Sequence, residues 1–96
     1  MKHYVNLTLR SDFSAADLLG EIEKVLKLAV AQITGFRNYE LLKAIEWSEA
    51  SRKILLVLEF ANIESLETYI KHNLHIQLLQ TVKPYLADKA IFDGFL

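Results

Sequence analysis

The sequence predicts an α+β protein: a ferredoxin-like βαββαβ unit with one four-stranded antiparallel sheet, spanning residues 1–96 as a single domain. Three observations carry this. Two-residue apolar alternation gives way twice to three-and-four spacing, in the order strand, helix, two strands, helix, strand. The chain has one proline and three glycines, scattered, and no repeat or low-complexity tract marks a linker. The stretch "RKILLVLEF" is apolar on both faces, as in a strand that is covered on both sides.

From His3 to Leu9 the residues alternate, with His3, Val5, Leu7 and Leu9 on one side and Tyr4, Asn6 and Thr8 on the other. Ser14 then offers an N-cap oxygen, and Asp17 nearly completes a capping box. The series Leu18, Ile22, Val25, Ala29, Ile33, flanked by Leu19, Leu26 and Val30, predicts a helix of about five turns that ends near Thr34 and Gly35. "FRNYELLKAIEW", Phe36 to Trp47, leans towards a second strand, and "SEAS" makes a polar turn. In the third strand Leu56, Leu58 and Phe60 share one face, Leu55 and Val57 the other. Asn62 caps the next helix, with Glu64 and Glu67 near its positive end and Leu66, Tyr69 and Ile70 as its inward stripe. The helical pattern weakens at Asn73, resumes through "HIQLLQTV" and fades before Pro84, and "KAIFDGFL" reads as the last strand.

Both crossover helices of such a unit cover one face of the sheet. Tyr4, Leu55, Val57 and Phe92 fall on the other face by alternation, which predicts a homodimer whose sheets pack together into a barrel-like core. A hydrophobic content of 52% in so small a domain agrees. The net charge of −1 gives no electrostatic footprint for nucleic acid or an anionic membrane, so neither is expected as a partner. With no cysteine there is no thiolate chemistry and no sign of an oxidising compartment, and a soluble, cytoplasmic protein is the expectation. The opening "MKHYVNLTLR" lacks the apolar core of a signal peptide, and the longest apolar run, "ILLVL", is the length of a strand. No glycine-rich phosphate loop, nucleotide fingerprint or nucleophile elbow points to a cofactor, and none is expected.

The second half carries Phe60, Leu66, Tyr69, His72, Asn73, His75, Pro84, Phe92 and Asp93 in a recognisable pattern. With the opening Lys-His pair it resembles the stress-responsive A/B barrel (Dabb) domain, Phe36 to Arg52 matching poorly and Asn73 standing where that family usually has proline. The resemblance implies a dimeric α+β barrel. Most members have no assigned activity; the exceptions include polyketide cyclases of the olivetolic acid cyclase type, which close a linear polyketide by aldol condensation between sheet and helices. By that resemblance His75 matches the acid/base histidine, Tyr69 a residue that holds substrate, His3 a pocket histidine on the first strand, and Asp93 an acid that pairs with the catalytic imidazole.

The residues themselves agree in part. His75, Leu79, Val82 and Leu86 are spaced as one helix face, His3 shares the helix-facing side of its strand with Val5 and Leu7, and Asp93 shares a face with Ile91. A carboxylate beside His75 would fix its tautomer and raise its basicity. Three readings stay open. One is a dimer that binds a small apolar or aromatic molecule in a cleft formed by His3, Val5, Leu7, Leu56, Leu58 and Ile91, with His75 and Tyr69 at its polar end. Another is a cofactor-free enzyme using His75, Tyr69 and Asp93, by cyclase chemistry or, on fold analogy alone, as a monooxygenase. The last is a structural dimer in which the His–Asp pair is a satisfied polar tie. His72 receives no role, and His3, His72 and His75 lack the carboxylates or motif of a metal site, so no metal is expected. Tyr39 and Trp47 read as packing residues.

Overall fold

A computed structural model describes residues 1–44 and 52–95. Its elements are β1 (Lys2–Leu9), α1 (Ala16–Gln32), β2 (Phe36–Lys43), β3 (Lys53–Phe60), α2 (Ile63–Lys71), α3 (Asn73–Val82), a single 3₁₀ turn (Lys83–Tyr85) and β4 (Leu86–Gly94). The strands form one antiparallel sheet in the order β2-β3-β1-β4, the ferredoxin-like arrangement, with the second crossover helix broken in two.

Alternation sorts the sheet into two unlike faces. Leu7, Leu9, Ile54, Leu56, Leu58 and Phe60 are buried beneath the helices, which contribute Leu18, Ile22, Leu26 and Ala29 from α1 and Leu66, Tyr69, Leu74, Leu78 and Val82 from α2 and α3. On the opposite face Tyr4 stands between its register partners Val57 and Phe92, and Asn6 pairs with Leu55. Tyr4, Leu55, Val57 and Phe92 therefore share the helix-free face, where Phe92 is 66% exposed and its ring lies 6.1 Å from that of Tyr4.

The caps follow the local sequence. The Ser14 amide donates to Asp17 Oδ2 at 2.8 Å, the reciprocal half of a capping box, but the Ser14 hydroxyl does not cap the helix as expected: it donates to the same oxygen at 3.3 Å, and the helix starts at Ala16 behind Ala15. After α1 the chain turns at Gly35, whose φ of 86° is the left-handed region that glycine tolerates. A side chain there would also collide with Ser65, because an added Cβ would lie 1.9 Å from its Oγ. Ser65 is held in place by the cap of α2: Asn62 Oδ1 accepts the Ser65 amide at 2.9 Å and its hydroxyl at 2.7 Å.

Three expectations shift. Ile70 is not inward but 44% exposed, because α2 buries Ser65, Leu66 and Tyr69 and each further residue rotates about 100° around the axis. The buried stripe of α3 is Leu74, Leu78 and Val82, which shares Val82 with the series predicted from His75 but has Leu74 and Leu78 in place of His75 and Leu79. β4 starts at Leu86 rather than Lys89, since the 3₁₀ turn at Pro84 releases the chain directly into the strand. The predicted "SEAS" turn and Trp47 lie outside the described residues; Tyr39 packs at the edge of the core. No helix among the described residues is long and apolar enough to cross a membrane.

Candidate active site

The break between α2 and α3 builds the site. His72 leaves helical geometry, with φ −73° and ψ 147°, and its Nδ1 accepts the Leu74 amide at 3.0 Å, so this side chain caps α3. Sequence reasoning missed that role because histidine is not among the usual caps; the only signal was its place just before the helical pattern resumes. The turn sets Tyr69, near the end of α2, beside His75, in the first turn of α3, with ring centroids 4.7 Å apart.

Breaking a helix leaves its last carbonyls without intrahelical partners. One of these, Ile70 O, accepts from His75 Nδ1 at 2.9 Å. A carbonyl can only accept, so the proton sits on Nδ1 and the Nε2 lone pair stays free. Burial pushes the His75 pKa below the ordinary histidine value; the Ile70 carbonyl partly offsets this, and the nearby His3 and Lys89 lower it further. The ring is thus neutral at neutral pH.

Tyr69 is almost fully buried against Phe36 and Phe60, at ring separations of 5.3 and 5.4 Å, and burial pushes its phenol pKa well up. It stays protonated as a donor. No hydrogen bond reaches its hydroxyl among the described residues, yet every fully enclosed side-chain nitrogen or oxygen there has a partner. The hydroxyl therefore opens onto the adjoining cleft, and the same reasoning places His3 Nε2 at the cleft wall.

Asp93 does not orient His75. It hydrogen-bonds His3 Nδ1, because His3 and Asp93 are direct register partners on β1 and β4 and project to the same face. His75 takes its orientation from the backbone instead. The His3 ring lies 6.3 Å from Tyr69, edge to face, so Tyr69 is flanked by both imidazoles.

These groups open onto a cleft of about 210 Å³ between the sheet and α3. Of the residues named from the sequence as candidates for the site, His3, Val5, Leu7, Leu56, Tyr69, His75 and Ile91 line it. Leu58 does not: it is completely buried in the core. Leu78, Leu79 and Val82 form the α3 wall; Leu86, from the same predicted face as His75, lines the cleft too, as do Lys83 and Lys89, which sequence reasoning passed over. Among the described residues no three His, Cys, Asp or Glu side chains converge as a metal site.

Comparison with known proteins accords with this architecture. The family model for the stress responsive A/B barrel domain matches residues 1–95. No curated protein matches the sequence. Among solved structures, a dimeric protein of unknown function and ferredoxin-like fold from Bacteroides fragilis superposes with a TM-score of 0.83 at 22% identity, over 99% of this chain and 94% of its own. A dimeric ferredoxin-like protein of unknown function from Thermobifida fusca gives 0.80 at 18% identity, over 99% and 89%. A protein from Nitrosomonas europaea, provisionally described as an antibiotic biosynthesis monooxygenase, gives 0.73 at 11% identity, over 99% and 98%.

Proposed function

The chain belongs to the stress responsive A/B barrel domain family, and from that premise we propose that it is a homodimer that binds a small apolar or aromatic molecule in the cleft between sheet and α3. One observation carries the ligand: an aliphatic cleft of about 210 Å³ is lined by three rings, His3, Tyr69 and His75, each with a polar atom that makes no hydrogen bond among the described residues. A core filled for stability alone would leave no such space beside groups with unmet hydrogen-bonding capacity. The dimer reading is supported by the helix-free face carrying Tyr4, Leu55, Val57 and Phe92, and by similar structures that are themselves described as dimeric. The test is an NMR titration of the full chain with a neutral aromatic probe such as phenol. Ring shifts at His75 and His3 and methyl shifts at Leu78 are expected; a spectrum that never moves would leave only a structural role.

A second reading, turnover, is favoured by the tautomer of His75. With Nδ1–H fixed on Ile70 O and the ring neutral, Nε2 is a base without a competing partner. It takes a proton from the carbon next to a ligand carbonyl, the C–H electron pair moves into the enolate, and the Tyr69 O–H stabilises the enolate oxygen. Attack of that carbon on a second carbonyl closes a ring, and the imidazolium returns the proton to the resulting alkoxide. His3, held by Asp93, lies on the other side of Tyr69 and positions it. Deuterium exchange at the α-carbon of a small aromatic ketone, measured for the wild type and His75→Ala, tests this directly: exchange lost in the variant supports a base, and equal exchange removes it.

A further inference from the structure

The two walls of the cleft change chemical character in step. On the sheet, successive register pairs facing the helices are His3–Asp93, Val5–Ile91 and Leu7–Lys89. Along α3 and the turn after it come His75, then Leu78, Leu79 and Val82, then Lys83. Each wall thus runs from imidazole through aliphatic side chains to an ammonium group. The directions coincide, because His75 and His3 meet at Tyr69. Eight residues from His75 to Lys83 at about 1.5 Å each make the α3 wall about 12 Å long, while on the sheet wall the long Lys89 side chain comes near enough to His75 to lower its pKa.

The cleft's two ends differ in charge. At the imidazole end the carboxylate of Asp93 is partly open to solvent. At the other, Lys83 and Lys89 line the cleft with no acidic partner among the described residues. Two ammonium groups with no acidic partner among the described residues, beside an aliphatic surface, attract a carboxylate. The volume sets the rest of the ligand: a cavity of about 150 Å³ holds benzene, so about 210 Å³ admits one ring and a short arm.

We propose that the ligand of this cleft is a small amphipathic acid, its carboxylate between Lys83 and Lys89 and its apolar body, about one ring in size, directed towards Tyr69 and the two histidines. This rests on the cleft being the ligand site. It adds polarity and orientation: a hydroxyl or carbonyl on the far end of the acid would meet Tyr69 O–H and His75 Nε2, and the lysines would hold the molecule in register.

The experiment compares 3-phenylpropanoate with its uncharged amide by NMR titration of the full chain, following the Leu78 and Val82 methyl groups at about 20 mM and about 300 mM salt. The acid is expected to bind about tenfold more tightly than the amide at low salt, and the gap to narrow at high salt. Both lysines are exposed, so a Lys83→Gln, Lys89→Gln double variant keeps the fold, which its spectrum verifies. It should bring the acid down to the amide while leaving the amide unchanged, and the matching pair of Arg substitutions should restore the preference. If acid and amide bind alike, or the preference survives loss of both lysines, the charge assignment falls and the cleft reading stands. If neither binds, both fall.

Discussion

Tyr69 separates packing from function in one side chain. Its ring is core, against Phe36 and Phe60, and its hydroxyl has no partner to lose among the described residues. Tyr69→Phe should therefore change unfolding free energy by less than about 1 kcal/mol in urea denaturation, while weakening a hydroxyl- or carbonyl-bearing ligand about tenfold in the same NMR titration. His75 carries a pH dependence of definite sign. Its folded pKa lies below the unfolded value of about 6.5, so its share of stability is complete above that pH and is lost as pH falls through the folded value. The ring resonances should titrate below the ordinary histidine range, and any base-dependent activity should rise through the same point and then level off. Both residues were legible in the sequence from family resemblance and helical spacing. The partner of Asp93 was not, because it is set by the register of β1 against β4, which no local pattern encodes.

The paired helices α2 and α3 depend on backbone geometry that two substitutions can probe. Asn73 is the first residue of α3, where proline is well tolerated, and His72 before it already has the extended conformation that a following proline demands. Asn73→Pro should stabilise the protein by about 0.4–1 kcal/mol, read as a higher urea midpoint with an unchanged slope. Gly35→Ala should do the reverse, costing about 1–3 kcal/mol, since the left-handed φ is compounded by collision with Ser65. The sequence located both helices, with their break at Asn73 instead of His72 and the start of α3 two residues late. It placed Val82 in the inward stripe of α3 but chose His75 and Leu79 over Leu74 and Leu78, because the two rows are adjacent and only the neighbouring elements select between them.

At the scale of the whole molecule, the fold was the most legible feature, since the alternation in β1 and β3 and the periodicity of α1 leave few other arrangements. The unlike faces of the sheet were equally plain, and they give the proposed dimer its test. Phe92→Lys adds a charge where the single chain is already exposed, so it should leave thermal stability of an isolated protomer nearly unchanged and shift sedimentation from dimer to monomer. The position of β4 has a wider consequence. It pairs with β1 alone, at the rim of the sheet, yet supplies Leu86, Lys89 and Ile91 to the cleft and the carboxylate that holds His3. A rim strand is the part of a sheet most readily peeled away without global unfolding. Transient detachment of β4 would dismantle recognition while α1 and the inner strands stayed intact, so occupancy of the cleft should be felt as slower amide exchange along Leu86–Gly94 before any change in melting temperature.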